Sequence, residues 1–293
     1  ANALGLNVQD VKKKLETKLP SGADAGSATL IRRITKEDAD KVNALKIRGV
    51  IVSPDTKRYY PNNNFLAHVL GSTNSDGVGL TGVELQYNSY LAGTPGMKIT
   101  ELEKSNTDYP YTISKFTSPQ NGKDVVLTID ENIQAFAEKV AQQAYDENKA
   151  KATSVLVMDP KTGEILGMAN KPDFNPNTPF EGYENFDGNT ESEKTNKMWR
   201  NRLVNDTFEP GSIFKVVTAI TALEEGAANA NTDFFCGGSM AVGGIHPKCW
   251  RTQGHGAQKF PDIIKNSCNV AFIQLGQMIG KEKLCEYISK FGF

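Results

Sequence analysis

The segment from Phe208 to Lys215 reads FEPGSIFK and places a serine and a lysine at a spacing that suits nucleophilic chemistry. A turn at Pro210 and Gly211 precedes Ser212, and Lys215 follows three residues later. Residues three apart lie on one face of a helix, one turn from each other. A lysine in that position can remove the proton of the serine if burial lowers the pKa of its ammonium group. The spacing predicts a serine nucleophile with a lysine base.

A second polar group, Ser267-Cys268-Asn269, follows about fifty residues later. A second hydroxyl can relay a proton between the base and a leaving group, and an asparagine amide can both donate to and accept from a peptide. Taken alone, Ser212 fits an N-terminal helix cap equally well. The later triplet and the preceding FEPG turn favour the catalytic interpretation.

Three of the four cysteines lie within 33 residues and have a histidine among them. Cys236, Cys249, His255 and Cys268 have the residue types of a structural zinc site, although their spacings differ from those of a compact zinc finger. His246 is a competing fourth ligand. A Cys236–Cys249 disulfide and buried free thiols are the alternatives.

Length and composition limit the range of functions. A chain of 293 residues is long enough for about two domains. Its 33 basic and 34 acidic residues give a formal net charge of -1, so no broad basic field favours nucleic acid as a partner. The apolar runs are shorter than the roughly 20 residues of a membrane helix, and the first residues show no secretory signal. We expect a chain that is soluble as given, in the manner of a trimmed ectodomain.

The elements of the first part, to about residue 120, form a small mixed region. Thr35 and Asp38 predict a capped helix, and Thr81 with Glu84 predicts a second helix that ends at Gly93. RGVIVSPDTKRYYP is expected to form a strand and a turn, and ITELEKSNTDYPYTISKF a strand pair or an arm.

From about residue 121 the pattern changes, and a second domain is expected to run to residue 293. VVLTID predicts a strand, and Asp130 caps a longer helix with an apolar face at Ile133, Phe136, Val140 and Ala144. TSVLVMDPKTGEILGMAN predicts a hairpin. A long polar loop from Asn170 then leads to the serine helix.

After the serine helix, the Gly-rich segment around FFCGGSMAVGGIHPKCW predicts a hairpin or clamp. Two helices are expected to follow, with Ser-Cys-Asn between or within them and Cys285 in the core. These elements predict an α/β or α+β fold.

Three segments, RNRLVNDTFEPGSIFK, NSCNVAF and GLTGVELQYNSYLAGTPG, together resemble the class B penicillin-binding proteins. These are membrane-anchored D,D-transpeptidases of cell-wall synthesis with a pedestal before the catalytic domain. The Cys-Trp…Gly-His-Gly…Ser-Cys-Asn run is most similar to division and sporulation members from Gram-positive, spore-forming bacteria. The resemblance covers nearly the whole chain from about Thr29.

The resemblance implies a role for each motif residue. Ser212 would attack the carbonyl of the penultimate D-Ala of a peptidoglycan stem peptide, with its own N–H in the oxyanion hole, and Lys215 would take its proton. Ser267 would shuttle protons to the departing amine, and Asn269 would hold the substrate backbone. β-Lactam antibiotics would acylate Ser212. The resemblance also implies an antiparallel sheet packed with helices, the extracytoplasmic face of the cell membrane, an anchor outside this chain and cell-wall synthesis partner proteins.

The family has a third motif, Lys-Ser/Thr-Gly, on a strand well downstream of Ser-x-Asn. The chain given continues for 24 residues after Asn269, and its only Lys-Thr-Gly is Lys161-Thr162-Gly163. That segment predicts a turn between two strands and not an active-site strand. We therefore expect the first part of a transpeptidase domain. A serine β-lactamase and a non-catalytic module that binds cell-wall synthesis partners are the alternatives.

Overall fold

The computed structural model describes residues 1–102 and 108–293. The described chain contains helices and three two-stranded antiparallel sheets, which confirms the expected mixed fold class. It divides into two compact units, Ala1–Asp206 and Thr207–Phe293. Among the described residues, no helix is both long enough and apolar enough to cross a bilayer.

The first unit contains eight described α-helices and two sheets. Its helices are α1 (Val8–Leu15), α2 (Lys36–Ala44), α3 (Ala67–Leu70), α4 (Gly82–Gln86), α5 (Asn88–Leu91), α6 (Glu131–Glu147), α7 (Glu191–Trp199) and α8 (Arg202–Asn205). Its strands are β1 (Met97–Leu102), β2 (Asp108–Thr117), β3 (Thr153–Met158) and β4 (Ile165–Lys171). Short 3-10 turns lie at Asn2–Leu4 and Tyr183–Asn185.

Two expectations for the first 120 residues are confirmed. The side chain of Thr35 accepts a hydrogen bond from the backbone N–H of Asp38 at 3.2 Å and caps α2. The strand pair is present as β1 and β2, and residues 103–107 of that segment lie outside the described residues.

Two other expectations for this region are wrong. RGVIVSPDTKRYYP forms no strand, because the backbone N–H and C=O of Tyr60 pair with the side chain of Asn177 instead of a neighbouring strand. The helix expected to begin at Thr81 is two short helices, α4 and α5, that meet at Tyr87, where the backbone leaves the helical region. The side chain of Thr81 makes no capping hydrogen bond.

Helix α6 is capped as expected but buries a different face. The Asp130 carboxylate accepts from the N–H groups of Asn132 and Ile133 at 2.9 and 3.0 Å. The buried residues are Gln134, Ala137 and Ala141, whereas Phe136 is 68% exposed. The two alanines allow a close approach to the sheet. The Gln134 amide bonds both backbone groups of Met168 on β4, which is why a polar residue lies on the buried face.

The expected hairpin is present as β3 and β4, and the Asp159 carboxylate organises its turn by accepting from the N–H groups of Lys161 and Thr162. Lys161-Thr162-Gly163 thus forms an exposed turn, as predicted. VVLTID is not a strand. Two hydrogen bonds connect this segment to the start of β4. The Thr128 hydroxyl donates to the carbonyl of Ile165, and the Asp130 N–H donates to the carbonyl of Leu166.

The long polar loop contains a helix that the sequence analysis missed. Helix α7 begins after Thr190, whose hydroxyl accepts from the N–H of Glu193, while the carboxylate of Glu193 accepts from the N–H of Asn189. The Thr-x-x-Glu pattern at residues 190–193 was the available signal.

A buried polar cluster joins α6, β4 and the segment before α3. The ammonium group of Lys171 pairs with the carboxylates of Glu138 and Asp173. Glu138 also accepts from the backbone N–H of Leu66 at 3.0 Å. Nearby, His68 is buried, and its Nε2 lies 3.0 Å from the carbonyl oxygen of Met198.

The second unit packs two helices against a hairpin. A 3-10 turn (Gly211–Phe214) precedes α9 (Lys215–Glu224), and β5 (Asp233–Cys236) and β6 (Gly256–Lys259) pair as the expected Gly-rich hairpin. Helices α10 (Phe260–Lys265), α11 (Asn269–Ile279) and α12 (Lys281–Lys290) follow. The largest buried cluster of the described chain lies between α9, α11 and the hairpin. Cys285 was expected in the core but is exposed on α12, where only Leu284 packs against that cluster.

Candidate active site

The serine and lysine of FEPGSIFK lie at the junction of a 3-10 turn and a helix. Ser212 is exposed within the turn Gly211–Phe214, and Lys215 is the first residue of α9. Gly211 has φ +54°, in the region where a side chain is strained, so glycine permits the chain to enter the turn in this conformation. The turn presents the serine hydroxyl to solvent at the start of an apolar helix.

The ammonium group of Lys215 is directed toward the Ser-Cys-Asn triplet. Its Nζ lies 2.7 Å from the backbone carbonyl oxygen of Ser267, 3.0 Å from Ser267 Oγ and 2.6 Å from Asn269 Oδ1. In the described part of the chain, these three contacts account for all its hydrogen bonds, and none goes to Ser212. The structure therefore brings Lys215, Ser267 and Asn269 together.

The environment of Lys215 makes its ammonium group more acidic than that of an exposed lysine. Burial lowers the pKa of Lys215, although the nearby thiols of Cys249 and Cys268 act in the opposite direction. Its Nζ also lies 5.5 Å from the ring centroid of Phe272 on α11. A lysine with a lowered pKa has the property that a general base requires.

The triplet occupies the junction between α10 and α11. Cys268 is fully buried and is the N-cap residue of α11, and Asn269 is the first residue of that helix. The Asn269 amide donates to the carbonyl of Lys248 at 3.1 Å while its oxygen accepts from Lys215. This pair of contacts fixes the amide orientation and connects the triplet to the hairpin.

Four candidate metal ligands converge beside the triplet. One ligand atom from each of Cys236, Cys249, His255 and Cys268 lies within 4.8 Å of the other three. Cys249 Sγ is 3.6 Å from His255 Nδ1 and 4.0 Å from Cys268 Sγ. Sulfur atoms bound to one tetrahedral zinc ion lie about 3.8 Å apart. The predicted ligand set thus has distances that fit a tetrahedral ion.

The chemistry of the cluster also fits a metal. Burial opposes ionisation of both Cys249 and Cys268. Hydrogen bonds from the backbone N–H groups of Arg251 and Asn269 outweigh it at Cys249 and lower the pKa of that thiol, whereas burial prevails at Cys268 and raises its pKa. His255 Nε2 is buried with no hydrogen-bond partner among the described residues, which is costly for a group without a ligand.

The structure also bears on the disulfide and on His246, the alternatives to this ligand set. The cysteines are free thiols in the structure, so the Cys236–Cys249 disulfide is not formed. His246 is exposed and does not belong to the cluster, and the histidine that does belong is His255.

Close backbone approach holds the two arms of the hairpin around the cluster. A Cβ atom at Gly238 would lie 2.0 Å from the carbonyl oxygen of Thr252, and one at Gly254 would lie 2.2 Å from that of Cys236. Both glycines also have positive φ. Glycine at these two positions therefore permits the close backbone approach that brings the ligand-bearing segments together.

Three polar residues around the triplet had no individual role predicted from the sequence. Trp250 donates its indole N–H to the carbonyl of Asn266 at 2.9 Å, and the Asn266 amide donates to Gln258 at 2.9 Å. These residues do not recur at a regular spacing in the sequence, so no pattern indicated their roles. The only available signal for Trp250 was its position directly after Cys249.

Comparison with protein families accounts for both parts of the chain. Residues 1–127 match the penicillin-binding protein dimerisation domain, and residues 153–293 match the penicillin-binding protein transpeptidase domain. The chain therefore belongs to the penicillin-binding proteins, in the class that joins a dimerisation domain to a transpeptidase domain.

Individual relatives agree with this family. The chain is 37% identical over 263 residues to stage V sporulation protein D of Bacillus subtilis, covering 89% of this chain and 39% of that protein. It is 29% identical over 302 residues to the peptidoglycan D,D-transpeptidase FtsI of Escherichia coli, covering 100% of this chain and 46% of that protein. The chain thus spans less than half the length of these relatives.

Solved structures show the same likeness. A peptidoglycan synthetase from Bifidobacterium adolescentis has a TM-score of 0.70 at 26% identity, covering 100% of this chain and 50% of that one. Penicillin-binding protein 3 of Mycobacterium tuberculosis complexed with aztreonam has a TM-score of 0.64 at 29% identity. The match covers 81% of this chain and 47% of that one.

Proposed function

We propose that the protein carrying this sequence is a peptidoglycan D,D-transpeptidase that cross-links stem peptides through an acyl-enzyme on Ser212. The observation that carries the proposal is the set of three contacts from Lys215 Nζ to Ser267 and Asn269. The name of the E. coli relative, a peptidoglycan D,D-transpeptidase, supports the substrate class. Because the chain spans less than half of those relatives, the activity is proposed for the full-length protein.

Acylation begins with proton removal from Ser212. Neutral Lys215 accepts the proton as Ser212 Oγ forms a bond to the carbonyl carbon of the penultimate D-Ala. The tetrahedral oxyanion is stabilised by the N–H of Ser212 in the 3-10 turn, as the family resemblance implies. The C–N bond then breaks and the terminal D-Ala leaves.

Ser267 and Asn269 serve the leaving group and the substrate. Ser267 Oγ lies within hydrogen-bond distance of Lys215 Nζ, so it can pass the proton taken from Ser212 to the departing amine. The Asn269 amide orients the substrate backbone. In the second step, an amine from a neighbouring stem peptide attacks the ester carbon, and the bond from that carbon to Ser212 Oγ breaks. The proton that the amine loses passes through Lys215 to Ser212 Oγ. This step forms the cross-link.

Intact mass after incubation with a penicillin tests the acyl-enzyme. We expect a stable adduct on the full-length protein, mapped to Ser212 by peptide digestion and absent from Ser212→Ala. Ser289→Ala, at an exposed serine on α12, is the matched control and should keep the adduct. Rapid hydrolysis of the penicillin would favour a serine β-lactamase. No reaction of the full-length protein would contradict the catalytic proposal and favour a binding module.

We also propose that Cys236, Cys249, His255 and Cys268 hold a structural zinc ion. The convergence of the four ligand atoms supports this proposal. The ion would fix Cys268, and with it the residues on either side that contact Lys215. Metal analysis of the purified protein should give one zinc per chain. Cys236→Ala should lose that metal, whereas Cys285→Ala should retain it because Cys285 is exposed and outside the cluster.

The domain boundary near residue 120 is a further proposal. The family matches at 1–127 and 153–293 support a boundary between the pedestal and the catalytic domain. Contacts such as the hydrogen bond from the Leu66 N–H to Glu138 cross this boundary, and the compact units divide later, at Asp206 and Thr207. Limited proteolysis should yield a fragment beginning between residues 115 and 130; cleavage confined to residues near 206 would contradict this boundary.

The proposed substrate places the protein at the extracytoplasmic face of the cell membrane. Stem peptides are outside the cytoplasm, so an anchor outside this chain would hold the catalytic domain there, beside partner proteins of cell-wall synthesis. Protease added to intact spheroplasts should degrade the domain. A domain protected until lysis would contradict this location. The name of the B. subtilis relative, stage V sporulation protein D, supports a role in sporulation. A role in cell division stays a prediction.

A further inference from the structure

The backbone of Ser267 adopts a left-handed conformation that needs support. Helix α10 ends at Lys265 with Asn266 as its C-cap residue, and Ser267 follows with φ +44°. The Ser267 N–H bonds the carbonyl of Ile264 at 3.0 Å, and the Cys268 N–H bonds that of Ile263 at 3.1 Å. This pattern is a Schellman motif, in which glycine usually occupies the left-handed position. A serine there is held by its surroundings and not by its own backbone preference.

The residue before Ser267 is held from two sides. The indole N–H of Trp250 donates to the backbone carbonyl of Asn266 at 2.9 Å, and the Asn266 side chain donates to Gln258 at 2.9 Å. The last carbonyls of a helix have no partner within the helix. Trp250 supplies that partner at the residue whose orientation sets the start of the left-handed turn.

Trp250 also contacts the Cys/His cluster. It follows Cys249 in the chain, and its ring meets the ring of His255 edge-on at 5.2 Å between centroids, with an angle of 70° between planes. Its side chain is 66% exposed, so burial in the core does not account for its position. The indole therefore connects one ligand-bearing segment to the turn that carries Ser267.

We propose that Trp250 is a positioning residue for Ser267. Its N–H fixes the Asn266 carbonyl and thereby the left-handed turn, which directs Ser267 Oγ to Lys215 Nζ at 3.0 Å. Its ring aligns that turn with the cluster through His255. This inference rests on the proposed function, in which Ser267 transfers a proton.

Trp250→Phe separates the hydrogen bond from the ring contact, because phenylalanine retains an aromatic ring but has no N–H. The measurement is acylation of the full-length protein by a fluorescent penicillin, followed over a range of concentrations. We expect the limiting acylation rate constant to fall about tenfold, equivalent to about 1.4 kcal/mol. The dissociation constant of the non-covalent complex and the zinc content should remain unchanged.

Trp199→Phe is the matched control. The indole of Trp199 donates to the carbonyl of Pro179 at 2.7 Å, so this variant loses the same kind of bond in the first unit. It should acylate at the parental rate. A parental rate in Trp250→Phe would overturn the inference, as would a loss of rate that matches a loss of zinc.

A double-variant cycle tests whether Trp250 acts through Ser267. In a Ser267→Ala background, followed by intact mass over hours, Trp250→Phe should cause no further loss of rate. A further tenfold loss would show that Trp250 acts elsewhere and would overturn the inference. Failure of the parental protein to form any adduct on Ser212 would instead contradict the proposed function.

Discussion

Lys215 is the residue through which the two motifs of the site meet. Its Nζ contacts Ser267 and Asn269, and burial lowers its pKa. Because proton transfer by a positioned base contributes about 10²–10⁴ in rate, Lys215→Met should lower the rate of penicillin acylation by that factor. Fluorescent penicillin labelling measures this rate. Lys283→Met, at an exposed ion pair of α12 with Glu225, is the control and should label normally. Equal labelling of both variants would remove Lys215 from the mechanism.

His68 gives the first unit a dependence on pH. Burial lowers the pKa of His68, although the carbonyl of Met198 and nearby Asp173 and Glu138 favour the charged ring and Lys171 opposes it. Because the folded state disfavours protonation, the stabilisation is complete above the ordinary pKa of about 6.5 and declines as pH falls below it.

His68→Gln should therefore flatten the stability profile under mild acid. Between about pH 6.5 and 5, the protein should lose unfolding free energy through His68, because the unfolded chain takes up a proton there more readily than the folded one, and the variant should lose less. Urea unfolding of the first unit at several pH values measures the difference. His246→Gln changes an exposed histidine and should leave the profile unchanged. Identical profiles for the parent and His68→Gln would contradict this account.

The junction of α6 and β4 depends on a buried charge. Burial opposes the charge of Lys171, but hydrogen bonds to Asp173 and Glu138 outweigh it and raise its pKa. Removing one partner of a buried ion pair leaves uncompensated charge and costs about 3–5 kcal/mol. Lys171→Met should therefore destabilise the first unit by that amount in urea unfolding. Lys41→Met, in an exposed pair with Asp38, should cause no measurable change. Tolerance of both variants would show that the carboxylates find other partners.

The β5–β6 hairpin depends on glycine at specific positions. A Cβ atom at Gly254 would lie 2.2 Å from the Cys236 carbonyl, and its φ is +84°. Gly254→Ala should therefore separate the arms and reduce zinc per chain to well below one. At neighbouring Gly237 the nearest atom would lie at 3.6 Å, an ordinary contact. Gly237→Ala should retain the metal. Full zinc content in both variants would mean that the hairpin relaxes without moving the ligands.

Features that depend on residues close in sequence, such as helix caps, could be predicted. Features that depend on contacts between distant residues could not. The caps of α2 and α6 follow from Thr35 and Asp130 because a cap is a contact between residues two or three apart. The prediction of the buried face of α6 was wrong because Gln134 forms hydrogen bonds with the backbone of Met168 on β4. These two residues are 34 apart in sequence. No local pattern contains that information.

At the scale of the whole molecule, motif spacing identified the chemical groups but not their arrangement. Ser212 and Lys215 suggested a direct pair, yet Lys215 makes its hydrogen bonds with the triplet 52 to 54 residues later. The cluster was predicted by residue type. His255 was the predicted ligand, and the hairpin that turns it inward and leaves the competing His246 exposed supports that prediction. Such choices depend on how distant segments pack.

Counting reactive thiols tests the cluster across the whole chain. Of the four cysteines, Cys285 is exposed, and Cys236, Cys249 and Cys268 are buried within the cluster. Metal-bound thiolates react slowly because the ion and the fold restrict access to them. Intact mass after brief alkylation of the native, zinc-loaded chain should therefore show one label, on Cys285. After chelation and unfolding, four labels should appear. The Cys285→Ala variant should show no label in the native, zinc-loaded state and three labels after chelation and unfolding. Several rapid labels on the zinc-loaded chain would show that the three thiols are not held by a metal, because ligation and burial together would have protected them.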